Sequence, residues 1–155
     1  MRLSDPQQRS DPLGPIRGRG RREFRRLFPT PGLSATAAVV GASGWQLSAR
    51  ELRDLSLSGL AVPVQWWEWR RVALDEPVTL TLALPQGEYA LHGRALALRR
   101  VRGRRLVRTL AIALASDVGY GRAQPSLCSY LLQLADLTDA PYLKNNRVMS
   151  AGASR

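Results

Sequence analysis

The stretch VTLTLAL, from Val78 to Leu84, alternates strictly between large apolar and small or hydroxylated side chains. Successive side chains of an extended chain point to opposite faces. Val78, Leu80, Leu82 and Leu84 therefore share one face, and Thr79, Thr81 and Ala83 share the other. The segment predicts a half-buried strand, and it sets the pattern for what surrounds it. Five more short apolar runs lie between turn signals: Ser34–Val40, Trp45–Leu55, Leu60–Val64, Tyr89–Leu98 and Leu106–Ala115. Pro85-Gln86-Gly87 and Arg102-Gly103-Arg104 read as turns. Six short strands with turns between them predict an all-β antiparallel barrel or sandwich.

The period changes near the C-terminus. Leu127, Tyr130, Leu131 and Leu134 recur at helical spacing, and Pro125 suits the first turn of such a helix. That helix is expected to close an open end of the barrel. The expected organisation is a basic arm over 1–20, one domain over 21–138, and a frayed tail over 139–155. The arm is rich in Pro, Gly, Ser and Arg and has little to bury. With 155 residues and 45% hydrophobic content, the rest is large enough for one real core.

Charge narrows the function. The chain carries 23 basic against 12 acidic residues, a net +11. All the basic residues but Lys144 are arginine, whose planar fork pairs with phosphate and guanine edges and stacks on flat rings. The charge is concentrated in Met1–Arg26, at +5, and in Arg94–Arg108, at +7 with no acid. Together these two runs exceed the net total, so the remainder is close to neutral. An anionic partner is implied.

Other classes are disfavoured. A single cysteine, Cys128, and a single histidine, His92, leave no intramolecular disulfide and no Cys- or His-rich metal cage. Cys128 reads as a packed thiol and His92 as a strand residue. No serine-hydrolase, zinc-protease or phosphate-loop signature is present. No catalytic residue, metal or cofactor is expected. No apolar run reaches the ~18 residues of a spanning helix, and the N-terminus has no apolar signal core. The default expectation is a cytoplasmic protein.

Two segments carry a specific signal. In the first, Arg22 and Arg26 are four apart, and Leu27-Phe28 follows at once. In the second, Asp54-Leu55-Ser56-Leu57-Ser58-Gly59, alternation puts Asp54, Ser56 and Ser58 on one face. Gly59 permits a tight turn or a close backbone approach. A carboxylate on such a rim can accept from the N1–H and N2–H₂ edge of guanine. An arginine fork pairs with the O6/N7 edge or with phosphate.

This pairing resembles the PilZ domain family, receptors for the bacterial second messenger cyclic di-GMP. The family pattern is RxxxR followed some 20–30 residues later by D/N-x-S-x-x-G. Arg22 and Arg26 match the first half; the register Arg21–Arg25 is set aside because the second arginine should directly precede the apolar entry into the barrel. Asp54, Ser56 and Gly59 match the second half. The resemblance covers roughly residues 21–135 and implies a six-stranded barrel with a C-terminal helix. By resemblance Arg22 and Arg26 bind phosphate and the guanine Hoogsteen edge. Asp54, Ser56 and Gly59 bind the other edge and the phosphates, with Arg21, Arg25 and Ser58 as secondary candidates. The ligand would tie the arm to the Asp54–Gly59 rim and so switch a surface for a protein partner in motility or exopolysaccharide-type processes. The alternatives are a nucleic-acid-binding small barrel, and a PilZ-like adaptor that binds no nucleotide.

Two stretches depart from the family pattern. The span between Arg26 and Asp54 is slightly long, and Trp66-Trp67-Glu68-Trp69 stands where a short turn is expected. Trp66, Trp67 and Trp69 form a candidate partner surface or membrane-interface patch, or else a local lid over the barrel. The Arg94–Arg108 run is either a second anion surface or, as the preferred reading, a solvated hairpin whose charges discourage edge pairing.

Overall fold

The computed structural model describes the backbone of residues 25–153 and the side chains of residues 25–138. Seven strands form one antiparallel sheet: β1 (Thr36–Gly41), β2 (Gln46–Glu51), β3 (Asp54–Leu55), β4 (Gly59–Gln65), β5 (Pro77–Leu84), β6 (Gly87–Val101) and β7 (Arg104–Leu114). A four-residue helix α1 (Trp66–Trp69) follows β4, and a long helix α2 (Val118–Ala153) follows β7. The sheet order is β2-β1-β5-β6-β7-β4-β3.

The expected all-β architecture with a C-terminal helix is present, with seven strands rather than six. The extra strand comes from Trp45–Leu55, which divides. Its first part, β2, pairs with β1, and its last two residues, β3, pair with β4. β2 and β3 are thus the two edge strands of the sheet. Leu52 and Arg53 make the crossing: the Leu52 N–H donates to the Ala35 carbonyl, and the Arg53 N–H to the Ala61 carbonyl. Two adjacent residues thus bond to both ends of the sheet and curl it into a half-barrel.

The alternating strand behaves as its pattern requires. Val78, Leu80, Leu82 and Leu84 are buried, while Thr79 and Thr81 face solvent. Leu60, Val62, Val64, Leu91, Leu110 and Ile112 complete the inner face. The β5–β6 and β6–β7 turns fall at Pro85-Gln86 and Arg102-Gly103. Gly103 has φ 79°, a left-handed conformation that costs a glycine little.

Helix α2 closes the barrel with the expected stripe. Leu127, Tyr130, Leu131 and Leu134 are fully buried, joined by Ala123 and Ala135. The Tyr130 hydroxyl donates to the Leu33 carbonyl at 2.6 Å, and burial pushes its pKa up to about 12. The start of the helix differs from expectation. Asp117 precedes it, and its carboxylate accepts from the Tyr120 N–H at 3.0 Å. That is an N-cap, with the acid at the positive end of the helix. Pro125 therefore lies beyond the first turn, where its missing N–H removes one rung. The helical span also runs to Ala153, through the stretch expected to lose periodicity. Cys128 packs against the core, and His92 lies on β6.

Candidate functional site

Chain entry into the barrel brings the two sequence signals together. Leu27 and Leu55 form an isolated antiparallel bridge, each N–H donating to the other's carbonyl at 2.9 Å. Both leucines point into the core. Alternation turns their neighbours Arg26, Asp54 and Ser56 to the other side. There the Arg26 guanidinium donates to Asp54 Oδ1 at 3.3 Å, across 28 positions of sequence. Their side chains are 20% and 12% exposed, so the pair sits in a shallow, partly dry rim.

The loop after Asp54 is held by its own serine. Ser56 Oγ accepts from the Gly59 N–H at 3.2 Å and the Ser58 N–H at 3.3 Å, and donates to the Gly59 carbonyl at 3.2 Å. The Ser56 N–H donates to the same carbonyl at 2.8 Å. Gly59 is extended, and a Cβ placed there would lie 2.6 Å from the Ile112 carbonyl oxygen of β7. Its role is close backbone approach rather than an unusual φ. The loop's far side is braced by Tyr120, whose hydroxyl donates to the Leu57 carbonyl at 2.6 Å. Burial raises the Tyr120 pKa, which keeps the donor protonated. Sequence reasoning missed Tyr120; the acid three positions before it, Asp117, is the cap signal that would have placed it at the helix start.

No protein-family model and no curated protein sequence matches the chain. Solved structures do. The PilZ domain of YcgR from Escherichia coli, with cyclic di-GMP, superposes at TM-score 0.56 and 15% identity. The match covers 77% of this chain and 98% of that one. The MrkH–cyclic di-GMP complex from K. pneumonia matches at TM-score 0.59 and 16% identity, over 80% of this chain and 55% of that one. A further MrkH structure, described as a cyclic di-GMP-dependent transcription regulatory factor, matches at TM-score 0.55 and 13% identity, over 73% of this chain. The chain spans about half of MrkH, 52% in that last match.

The fold is that of a PilZ domain.

On this PilZ fold, Arg26, Asp54, Ser56, Ser58 and Gly59 converge at one end of the β4–β7 ladder. Ser58 is exposed there, whereas Ser56 is buried in its turn. Arg25 is partly exposed beside Arg26. Arg21 and Arg22 lie outside the described residues. Trp66, Trp67 and Trp69 do not join this cluster. They follow β4 at its other end, six residue steps and roughly 20 Å from Gly59. Among the described residues, no group of His, Cys, Asp or Glu is placed to hold a metal ion, and no helix is long and apolar enough to cross a membrane.

At that other end, α1 is pinned by Glu68. Its carboxylate accepts both Arg50 terminal nitrogens, at 2.6 and 2.7 Å, and the Gln65 N–H at 3.0 Å. The Arg50 hydrogen bonds lower the Glu68 pKa. Trp69 is partly buried under Arg108, whose guanidinium lies 4.4 Å from the ring centroid. Trp66 and Trp67 are 42% and 56% exposed and meet edge to face.

Proposed function

We propose that this chain is a non-catalytic receptor for cyclic di-GMP. The observation that carries the reading is the approach of Arg26 to Asp54, which joins the two halves of a guanine- and phosphate-recognising pattern on a PilZ fold. The pair is long for a charged hydrogen bond, which ordinarily closes to about 2.7–2.9 Å. A ligand would replace it with closer bonds to each partner. Asp54 then accepts the guanine N1–H and N2–H₂, and Arg26 forks onto O6/N7 or a phosphate oxygen. Ser58 donates to phosphate. Ser56, Gly59 and Tyr120 hold the loop in shape. Arg22 joins Arg26 when the ligand neutralises both, which ties the N-terminal arm to the rim. The tie between arm and rim is the switch a protein partner would read. The solved neighbours that carry cyclic di-GMP on this fold support the reading.

Calorimetric titration with cyclic di-GMP, with GTP and a short DNA duplex as comparisons at moderate salt, tests it. The expected result is selective binding at micromolar affinity or tighter, lost in Arg22→Ala, Arg26→Ala and Asp54→Ala. Binding of DNA alone, steeply weakened by salt, would replace this reading with a nucleic-acid-binding barrel. Binding of neither would leave a protein-interaction adaptor.

A further inference from the structure

The β4–β7 pairing sets Gln65 opposite Val107 and Val64 opposite Arg108. It thereby places α1, the next turn of chain after Gln65, against the base of the β6–β7 hairpin. Two segments about forty residues apart in sequence become one surface. The hairpin contributes an open cleft of about 620 Å³ lined by Arg100, Arg104, Arg105 and Arg108, with Val101, Gly103 and Val107. The ladder is irregular here: Val101 pairs with Arg104 but Arg100 pairs with Arg108. Arg105, Leu106 and Val107 bulge out of the β6–β7 ladder as a result, and Leu106 is left 60% exposed. No carboxylate pairs with Arg100, Arg104 or Arg105 among the described residues. The one acid on α1, Glu68, is neutralised by Arg50.

We propose that this end of the molecule docks on anionic phospholipid bilayers. The arginines hold headgroup phosphates in and around the cleft, while Trp66, Trp67 and Leu106 enter the interfacial layer below them. Tryptophan suits that layer because its ring is largely apolar and its N–H stays near water. Guanidinium groups are drawn to the negative surface potential of acidic lipid. A nucleic acid fits the same surface less well. Trp66 and Trp67 stand at 90° to each other with centroids 5.8 Å apart, so they cannot lie parallel to two successive bases. Leu106 has no ring to stack. The inference does not depend on cyclic di-GMP binding, because the rim at Asp54 lies at the opposite end of β4.

The test uses the full chain and vesicles of phosphatidylcholine alone or with about one-third phosphatidylglycerol. Acyl chains brominated near the headgroup serve as tryptophan quenchers. The N-terminal arm is also cationic, so sedimentation alone is not the readout. Quenching on acidic vesicles is expected in the parent chain. Trp66→Ala/Trp67→Ala should lose it, since Trp45 is buried and Trp69 is covered by Arg108. Arg104→Glu/Arg105→Glu should weaken partitioning at least tenfold. Circular dichroism melting shows whether each variant is folded; both alter exposed side chains, so unchanged melting is expected. Vesicle binding without quenching, or binding indifferent to these variants, would overturn the proposal and leave only the arm's charge. DNA binding without vesicle binding, abolished by Arg104→Glu/Arg105→Glu, would overturn it in favour of a nucleic-acid surface. Binding to neither would overturn it outright.

Discussion

The two ends of the β4–β7 ladder use arginine in opposite ways. At the Gly59 end, Arg26 meets a carboxylate at 3.3 Å, and backbone, serine and tyrosine groups hold the adjoining loop. At the Gln65 end, Arg50 closes on Glu68 at 2.6 Å, Arg108 covers Trp69, and Arg100, Arg104, Arg105 and Arg108 line one cleft of the hairpin. The tight pair, Arg50–Glu68, fixes a helix in place. The longer pair, Arg26–Asp54, is the one at which a guanine nucleotide is proposed to bind. A single strand thus separates convergent donors and acceptors from a divergent fan of like charges. The first arrangement fits the proposed small, directional ligand, and the second fits the proposed extended, diffuse anion.

Gly59→Ala should be the most damaging substitution. A Cβ 2.6 Å from a backbone carbonyl forces β4 from β7, at about 1–3 kcal/mol. Denaturant melts should show the loss, together with loss of nucleotide binding. Equal loss of vesicle quenching would mean that the two ends are mechanically coupled. Asp54→Asn comes next, because it preserves the volume of the carboxylate but removes its charge and half its acceptor capacity. A drop of at least tenfold in cyclic di-GMP affinity, about 1.4 kcal/mol, is expected by calorimetry, with vesicle quenching unchanged. An unchanged affinity would make Asp54–Arg26 a structural pair and would sharpen the contrast in the other direction.

Tyr130→Phe leaves the Leu33 carbonyl without its donor and should cost about 1 kcal/mol. Its pH signature has a definite sign. The folded-state pKa of about 12 is above the ordinary value of 10.0. The stabilisation is therefore complete below pH 10 and is lost as pH rises towards 12. Melts of the parent chain across that window should fall more steeply than those of the variant. Arg108→Gln removes the cation over Trp69, worth about 0.5–1 kcal/mol. It should free Trp69 and add a third quenchable ring on acidic vesicles. Glu68 carries the acid-side signature. Its pKa is lowered, chiefly by the Arg50 hydrogen bonds, so its contribution is present above the ordinary carboxylate range and declines as pH falls through the folded value. Glu68→Gln should flatten that part of the acid melt without touching nucleotide binding.

Much of the fold is legible in periodicity. Leu82 is buried because a strand must turn every second residue inward, and Leu131 because a helix returns to the same face after four. The division of Trp45–Leu55 is not legible in this way. Nothing local at Leu52 or Arg53 says that the chain changes partners there; the change is imposed by Ala35 and Ala61, which lie towards opposite sides of the sheet. The start of α2 is legible in principle, since Asp117 is a good cap, but Pro125 is the stronger punctuation mark and suggests a later start. In the candidate site, Asp54 and Arg26 are visible as residue types at a spacing. Ser56's engagement with Gly59 is not, because a hydroxyl's partner depends on the turn its own backbone makes.

By itself, the sequence determined which face of each element is apolar, where the charge lies, and that two guanine- and phosphate-matching segments occur in order. These are properties of neighbours within about four residues, set by backbone sterics and side-chain chemistry. Only the tertiary structure decided that Arg26 reaches Asp54 across 28 positions, that Tyr120 braces Leu57 from another element, and that the tryptophan helix sits beside the arginine hairpin. Each of those depends on strand register. Register is chosen by burying all the apolar faces at once, a condition that no short segment can satisfy or reveal alone.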